Sequence, residues 1–475
     1  MTEHSRRGFL KAGGLLAGGV LLGETAALVA HSPARAADQP AQEAPAGDPW
    51  DQVPAILARI RPPTFPNRTF DITAYGAKGD GKTECTAAFR AAVIACHKAG
   101  GGRVLVPKGR YRTGAIHLLS NVDLHVSTGA TIEFLTDPKK YLPVVMTRWE
   151  GTECFNYSAF IYAYGQTNVS VSGAGTIDGR ATSGTWASWG GGGAEMQRLR
   201  QQGDDGVPVA QRRYGDGHKL RPNLIQFYRC RNVIISDVTL WNPAMWTIHP
   251  VLCTNVTLRN VTVHSTNSQG DGSDPEACTD VHIVGCRFNS NDDCVALKSG
   301  RDADGRRVGV STANVVIQRC TFSGRWGGVT IGSEMSGGVR NVFAEDCEIN
   351  APDFPGRYPV KYALYVKTNK KRGGTIENIH LRRFTGYNLE RDVVWITLNY
   401  NNQAGDVTPV VQNLTLDDFR ISGARAVLNL DGRDDAHIRN LHLRNSVFTA
   451  IQGPDTLRFA HDVRLTNVTV NGKPV

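Results

Sequence analysis

The sequence is poor in methionine and contains no Cys-x-x-Cys pair. Only five of the 475 residues are methionine, whereas 51 are glycine and 22 are proline. This composition disfavours a helical protein and favours many turns between short strands. The ten cysteines lack the paired spacing of a zinc site. A hydrophobic content of 41% and a charged content of 20% exclude a disordered chain and a multi-span membrane protein.

The N-terminal 36 residues have the pattern of an export signal. Arg6 and Arg7 precede a mildly apolar, glycine-rich stretch, and Ala34-Arg35-Ala36 offers a small-residue cleavage site. We predict a twin-arginine (Tat) signal over residues 1–36, which sends the folded protein to the periplasm or the extracellular space without a membrane attachment. Residues 37–66 are rich in proline and are predicted to be a linker or a loosely tied arm, with one short helix at most, ended by Pro62-Pro63.

A strand-like sequence motif recurs through the rest of the chain: Asn or Asp, followed by apolar residues at alternate positions. It begins at Asn232, Asn255, Asp280, Asn314, Asn341, Asn378, Asn413, Asn440 and Asp462, with weaker copies at Asn121 and Asn168. The alternation indicates strands with one buried face. A shortest repeat of about 22 residues is typical of one turn of a stacked solenoid and too short for a propeller blade. We predict an all-β, right-handed parallel β-helix over residues 67–475, forming one domain.

Two further features support a solenoid. Residues 83–99 form the best helical segment, with Thr83 as the N-cap and Gly100 as the stop, and they precede the first strands, where an N-terminal capping helix belongs. Cys286, Cys320 and Cys347 occupy the same slot of their repeats. The cysteines are therefore predicted to pack inside the coils rather than to form disulfides or bind metal.

Acidic residues concentrate in one stretch of the chain. Asp271 and Asp293 are 22 residues apart, which is one minimal coil, so a β-helix brings them together on one face. Clustered carboxylates push one pKa upward, and the site then holds an acid and a base at the same pH. Inverting glycoside hydrolysis requires that division, with carboxyl groups roughly 6.5–9.5 Å apart. Calcium ligands or solvated turn acids are the alternative interpretation, with about equal weight on the residues alone.

Seven motifs occur in the order found in the polygalacturonase family of glycoside hydrolases (family 28). They are Phe70-Asp-Ile-Thr-Ala-Tyr-Gly-Ala-Lys-Gly-Asp-Gly81, Gly173-Ala-Gly-Thr-Ile-Asp-Gly179, Trp246-Thr-Ile-His-Pro250, Asp271-Gly-Ser-Asp274-Pro, Asp292-Asp-Cys-Val-Ala-Leu-Lys-Ser-Gly300, Ile331-Gly-Ser-Glu-Met-Ser-Gly-Gly338, and Val366-Lys-Thr-Asn369 with Arg372-Gly-Gly374. The chain resembles this pectin-degrading family from about Phe70 to Tyr400 and more weakly beyond.

The resemblance implies a right-handed β-helix and an inverting hydrolysis that uses no metal or other cofactor. It implies that Asp292 is the general acid and that Asp271 and Asp293 activate water. Lys367 would bind a substrate carboxylate, and Tyr400 would lie near the cleaved bond.

The sequence also departs from the family pattern. Arg325-Trp326-Gly327 stands where the family has Gly-His-Gly, and Tyr365-Val-Lys367 stands where many members have Arg-Ile-Lys. Gln269-Gly270 replaces the usual Asn-x before the first aspartate. The three carboxylates survive, so hydrolysis is expected. The substrate is left open between plain galacturonan and a decorated or rhamnose-containing pectin.

Several other residues are candidates for substrate binding. Lys298 and Glu334 would line the cleft or pair with each other in a buried bridge. Trp326 is a candidate for stacking on a sugar, whereas for Trp186 and Trp189 ordinary packing is an equal alternative. His249, 22 residues before Asp271, would lie near the acids or, as the favoured alternative, serve its own coil.

The functional hypotheses belong to three classes. The leading one is a glycoside hydrolase that acts on a pectic polysaccharide or oligosaccharide. A polysaccharide lyase and a non-catalytic carbohydrate-binding β-helix are the alternatives. The net charge is +9, and the predicted signal holds four basic and two acidic residues, which leaves about +7 for a monomeric exported protein and suits an anionic polymer. The basic residues form no cluster interleaved with aromatics, so nucleic acid is not an expected partner.

Overall fold

A computed structural model describes residues 47–475, which form a right-handed parallel β-helix. The predicted signal and the first part of the predicted arm lie outside the described residues. Within residues 47–475, no helix combines the length and the apolar content needed to cross a membrane.

Each coil contributes up to three strands, and equivalent strands of successive coils pair in parallel to form three ladders. The first ladder contains Thr69–Asp71, Gly102–Val106, Val122–Val126, Thr167–Ser172, Arg231–Ser236, Thr254–Arg259, Thr279–Val284, Thr312–Gln318, Val339–Ile349, Thr375–Tyr387, Val410–Ala424, Ile438–Ile451 and Ala460–Val470. The second contains Asp80–Glu84, Gly109–Thr113, Ala130–Phe134, Thr176–Asp178, Thr239–Trp241, Thr262–His264, Arg287–Ser290 and Thr321–Gly324, and it merges with the first at Val339–Ile349.

The third ladder has ten strands in two groups. They are Ile116–His117, Ile161–Tyr164, Ile225–Tyr228 and Ile248–Val251, followed by Val295–Leu297, Gly327–Gly332, Tyr362–Lys367, Val394–Thr397, Leu428–Asp431 and Thr456–Arg458. Single bridges through Ser273 and Glu276 join the two groups. Two antiparallel elements complete the strands: the hairpin Val145–Trp149 with Thr152–Asn156, and Lys473–Pro474 against the last coil.

The helices lie at the end or on the outside of the coils. The α-helices are Val53–Arg59, Thr86–Lys98, Gly184–Ser188, Gly193–Asp204 and Asp302–Val308, and the short 3-10 helices are Pro49–Gln52, Ile72–Tyr75, Pro138–Tyr141, Val209–Gln211 and Tyr400–Asn402. Trp50, Val53 and Ile56 are buried against Val316 and Phe343 of the coils. This part of the predicted arm is therefore packed rather than loose.

The repeated asparagines have a structural role that explains why each copy of the sequence motif begins with Asn or Asp. Asn232 and Asn255 both adopt the left-handed conformation, with φ of 55° and 61°, which asparagine tolerates better than most residues. The Asn255 side-chain amide donates to the Asn232 side chain at 2.8 Å, and Asn232 donates to Asn168 at 2.9 Å. Each asparagine thus bends the chain into the first ladder and bonds the coil before it.

The N-terminal capping helix exists but begins later than predicted. It spans Thr86–Lys98, with Cys85 at the N-cap position and no side-chain cap. Thr83 instead belongs to the strand Asp80–Glu84, where its backbone N–H donates to Asp80 at 2.8 Å. Gly100, with φ of 87°, follows the helix as predicted. All ten cysteines are free and buried, as the repeat spacing indicates.

Candidate active site

The site lies in the middle of the third ladder, where the acidic stretch crosses from one coil to the next. Asp271 is on one coil, and Asp292 and Asp293 precede the strand Val295–Leu297 on the next. The backbone N–H of Gly272 donates to the carbonyl oxygen of Asp293 at 2.9 Å, which confirms the one-coil spacing. A Cβ atom at Gly272 would lie 2.4 Å from the carbonyl oxygen of Cys294, so only glycine permits this approach.

The three predicted catalytic carboxylates are clustered. One oxygen from each of Asp271, Asp292 and Asp293 lies within 4.8 Å of the others. This is closer than the separation of roughly 6.5–9.5 Å that the sequence analysis took from inverting glycosidases in general. The reason is geometric: Asp292 and Asp293 are adjacent in the chain, and neighbouring coils are only about 4.8 Å apart.

Lysines neutralise two of these carboxylates. Asp293 is fully buried and accepts from the Gly327 N–H at 3.0 Å, the Thr330 hydroxyl at 2.8 Å and Lys367 Nζ at 2.6 Å. Lys298 Nζ lies 3.4 Å from Asp271. These two ammonium groups place positive charge beside the carboxylates, where a divalent cation would otherwise be needed to neutralise them.

Asp292 differs from the other two acids. It is half-buried and lines the cavity, and within residues 47–475 it forms no salt bridge, in contrast to Asp271 and Asp293. Burial and the charges of Asp271 and Asp293 raise the pKa of Asp292 well above its ordinary value. Burial and its acidic neighbours also raise the pKa of Asp271. Lys298 opposes the shift at both residues, and Lys367 opposes it further at Asp292. Asp292 differs in its geometry: it faces the cavity without an ion-pair partner among residues 47–475, so it is the carboxyl best placed to hold a proton.

Lys367 keeps its charge beside these acids. Burial alone would lower its pKa, but Asp293, Asp292, Tyr365 and Tyr400 together outweigh burial, so the pKa of Lys367 is well above its ordinary value. The structure pairs Lys367 with Asp293 at 2.6 Å and also places it on the cavity wall. The side chain therefore reaches the cavity while it is bonded to Asp293, and its ammonium group has further N–H donors to offer there.

Lys298 and Glu334 are buried and form the bridge that the sequence analysis gave as one alternative. Their side chains are 3.2 Å apart, and Glu334 also accepts from Arg301 at 2.9 Å. Neither belongs to the cavity wall, so the geometry favours the buried bridge over a place in the cleft. Lys298 instead contacts Asp271 and places a positive charge beside this carboxylate on its buried side.

His249 does not reach the cavity, which corrects its place among the substrate-binding candidates. Its side chain is fully buried, and Nε2 lies 2.7 Å from Glu276. Glu276 in turn accepts from Arg148 at 3.0 Å. His249 is a structural residue of its coil, which was the favoured alternative.

The cavity begins at Asp292 and has a volume of about 580 Å³. Trp326 and Tyr400 line it, as the sequence analysis predicts. Trp326 stacks nearly parallel to Tyr365, and Lys361 Nζ lies 3.7 Å from its ring centroid. Trp186 is fully buried among Tyr141, Tyr157 and Phe160 and is a packing residue, whereas Trp189 packs against it half-buried.

The sequence analysis missed the far half of the cavity wall. Trp395, Thr397, Asn399, Asp431 and Arg458 line it. Asn399 follows the strand Val394–Thr397, and the other four lie on strands of the third ladder that pair with Tyr362–Lys367 and its successors. These strands follow the repeated asparagines at a nearly constant number of residues, and this interval could have located them in the sequence. None of the seven family motifs contains these residues.

Asp274 gives a prediction about stability and pH. Burial raises its pKa from 3.8 to about 7, with Lys298 opposing. Between these values the folded state holds a proton that the unfolded state has lost, so the free energy of unfolding falls as the pH rises through this window. Each pKa unit corresponds to about 1.4 kcal/mol. We therefore expect the free energy of unfolding to fall by a few kcal/mol less in Asp274→Asn than in the parent protein, as measured by guanidinium titrations at the two ends of this pH window. Asp353→Asn, at an exposed site, is the control. The prediction would be contradicted if the free energy of unfolding had the same pH dependence in Asp274→Asn and in the parent protein.

Comparison with known proteins identifies the family. The family model described as "Glycosyl hydrolases family 28" matches residues 96–445. A probable polygalacturonase of Vitis vinifera is 31% identical over 379 residues, which cover 75% of this chain and 70% of that protein. The exo-poly-alpha-D-galacturonosidase of Dickeya chrysanthemi is 25% identical over 444 residues, or 85% of this chain and 71% of that protein.

A solved structure agrees with this result. The crystal structure of a hyperthermoactive exopolygalacturonase from Thermotoga maritima is 38% identical and superposes with a TM-score of 0.85, covering 89% of this chain and 96% of that one. The family match, the β-helix and the clustered carboxylates point to the same assignment. The chain therefore belongs to family 28 of the glycosyl hydrolases and is a glycosidase.

Proposed function

We propose that this glycosidase hydrolyses α-glycosidic bonds of galacturonan-type pectin from a chain end, with inversion at the anomeric carbon. The observation that carries the proposal is the division of the acids: Asp292 faces the cavity without a salt-bridge partner among the described residues, while Asp271 and Asp293 each lie beside a lysine. The polygalacturonases among the relatives give the substrate class.

In the proposed reaction, Asp292 donates its proton to the glycosidic oxygen as the bond from the anomeric carbon to that oxygen breaks. A water held by Asp271 and Asp293 attacks the anomeric carbon from the opposite face, and Asp271 takes the released proton. The product sugar gains the hydroxyl, and the leaving sugar gains the proton of Asp292. We infer inversion at the anomeric carbon from the family resemblance and not from the short distance between the carboxylates.

An anionic substrate fits the charges around the cavity. Lys367 and Arg458 line it, and Lys361 lies over Trp326. Burial and the charges of Arg325 and Arg391 lower the pKa of Lys361, and Glu390, 3.8 Å from its Nζ, opposes them. Three cations and one acid therefore lie on this side of the cavity. These residues supply positive charge where the family's histidine and arginine are missing, and they favour a uronate over a neutral, rhamnose-rich segment.

Action from a chain end is supported by a wall beside Asp271. The wall consists of the hairpin Val145–Trp149 with Thr152–Asn156 and of residues 182–221, which include the helices Gly184–Ser188 and Gly193–Asp204. Arg221 Nη2 donates to the Ser268 carbonyl at 3.1 Å and to the Gln269 side chain at 2.5 Å. Gln269 is only two residues from Asp271, so the wall closes the groove directly beside the acids. The cavity extends from Asp292 in the other direction.

A lyase mechanism is disfavoured by the same site. A lyase removes a proton from carbon and needs a neutral base. The nearby lysines are poor candidates, because acidic neighbours raise the pKa of both Lys298 and Lys367 above the ordinary value despite burial. Both lysines are therefore held in the charged form.

The cellular context follows from the predicted signal. We propose that the Tat pathway exports the folded chain to the periplasm or the extracellular space, where it acts as a monomer. Pectic polymers are the expected partners. The residues 1–36 that carry the signal motif give a direct test, since replacing Arg6 and Arg7 with lysine would retain the protein in the cytoplasm.

The decisive experiment is incubation of the mature protein with polygalacturonate, with and without EDTA. We expect new reducing ends, short products released from the start of the reaction with little loss of viscosity, and equal rates with the chelator. Proton NMR of the first product should show the anomer opposite to that of the substrate linkage.

Each alternative function gives a different result in this assay. Ultraviolet-absorbing unsaturated products, formed only without EDTA, would identify a lyase. Binding of polygalacturonate without turnover would identify a non-catalytic protein. An early fall in viscosity would contradict action from a chain end, and a product with the retained anomer would contradict inversion.

A further inference from the structure

The far end of the cavity is lined by a cationic residue, Arg458, which lies beyond the residues that the family model matches. Arg458 is the last residue of the strand Thr456–Arg458 and lines the cavity, whereas the family match ends at residue 445. The catalytic mechanism proposed above makes no use of it.

Arg458 stands in one straight row with Lys367. The strand registers pair Lys367 with Thr397, Thr397 with Asp431, and Asp431 with Arg458. Side chains at equivalent positions of paired strands point to the same face, and all four residues line the cavity. With about 4.8 Å between strands, Arg458 lies about 14 Å along the groove from Lys367.

A second row runs beside the first. The registers pair Tyr365 with Trp395, two residues before Lys367 and Thr397, and the two rings stack at an interplanar angle of 10° with centroids 4.9 Å apart. The groove between Lys367 and Arg458 is thus bordered by a rigid aromatic pair and by polar side chains. This composition is typical of a sugar-binding track.

Arg458 is free to exchange its present partner. Its side chain is 57% exposed, and Nε donates to Asp431 at 2.7 Å; an exposed pair of this kind contributes at most about 1 kcal/mol. Asp431 does not depend on it, because its other carboxyl oxygen accepts from the Thr397 hydroxyl and the Asn399 amide, each at 3.0 Å. A substrate carboxylate can therefore replace Asp431 on the guanidinium at little cost.

We propose that Arg458 binds the carboxylate of a uronate unit several sugars away from the cleaved bond, on the side opposite the wall. The site consequently prefers longer oligogalacturonides to the dimer. This inference rests on the proposed function for its substrate class, and it adds a binding residue at the far end of the groove.

The test is the dependence of kcat/KM on chain length in Arg458→Gln. An exposed charge pair contributes at most about 1 kcal/mol, so we expect the ratio of kcat/KM for pentagalacturonate to that for digalacturonate to fall by about two- to fivefold. The change should appear in KM. The matched control is Arg420→Gln, an exposed arginine that pairs with Asp418 on the first ladder, which should leave the ratio unchanged.

A binding measurement separates this proposal from the proposed function. Titration of pentagalacturonate into Asp292→Asn and into Asp292→Asn/Arg458→Gln should show weaker binding to the double variant by the same factor, whether or not the parent protein hydrolyses the ligand. Equal affinities, or an equal fall in kcat/KM at every chain length, would overturn the role of Arg458. Failure of the parent protein to hydrolyse any galacturonide would overturn the proposed function alone.

Discussion

Replacing Asp292 with asparagine is expected to lower kcat by about three orders of magnitude. Asparagine keeps the shape of the side chain but cannot donate a proton to the leaving oxygen, and general acid catalysis contributes roughly 10²–10⁴ to the rate. Initial rates of reducing-end release from polygalacturonate measure the effect. KM should change little, because the substitution removes an interaction made mainly in the transition state.

The folded state should tolerate this substitution. The pKa of Asp292 is raised by burial and by its acidic neighbours, so the ionised side chain is disfavoured in the folded protein and a neutral amide relieves that cost. We therefore expect the denaturation midpoint near neutral pH to remain or to rise. Asp353→Asn, at an exposed site, serves as the control for the assay. A rate within tenfold of the parent protein would show that Asp292 is not the general acid.

The substitution Arg148→Met is expected to destabilise the protein by about 3–5 kcal/mol. Arg148 and Glu276 are both fully buried and lie 3.0 Å apart, and the Arg148 charge helps to hold the pKa of Glu276 below its ordinary value against the effect of burial. Removing the arginine leaves a buried carboxylate without its main counter-ion, which is the costly way to break such a pair. The free energy of unfolding from guanidinium titrations measures the loss.

Two further variants test the cause. Arg110→Met breaks an ion pair with Glu133 in which the arginine side chain is 68% exposed, and it should cost at most about 1 kcal/mol. The double variant Arg148→Met/Glu276→Met removes both charges and should recover part of the loss. A loss in Arg148→Met as small as that in Arg110→Met, or no recovery in the double variant, would contradict this account of the buried pair.

Arg148 also connects stability to function. It lies in the hairpin strand Val145–Trp149 of the wall, while Glu276 belongs to the coil that carries Asp271. The wall is thus fixed to the site through a buried charge pair as well as through the Arg221–Gln269 contact. This arrangement explains how the hairpin and residues 182–221, which lie outside the three ladders, are held at a fixed position beside the acids.

The architecture of this protein was readable from the sequence because its causes are local and repeated. Asparagine at positions such as Asn255 adopts the left-handed turn, and alternating apolar residues after it fill the inside of each coil. The interval between Asp271 and Asp293 equals one coil, so their proximity follows from counting. The start of the helix was harder to predict, since the Asp80 side chain holds Thr83 in the strand before the helix, a competition that intrinsic propensity does not reveal.

The partners of the site residues were decided by the tertiary structure alone. Whether His249 faces the groove or the interior depends on Glu276 and Arg148, the latter about a hundred residues away in the chain. The bond between Lys367 and Asp293 likewise joins distant segments. The sequence by itself determined the coil through its repeat spacing, and it indicated the family and the three carboxylates through seven motifs in the family's order. The ion-pair partners of Asp271 and Asp293, the contact of Arg221 with Gln269 and the place of Arg458 depend on contacts between coils and the wall, which spacing does not specify.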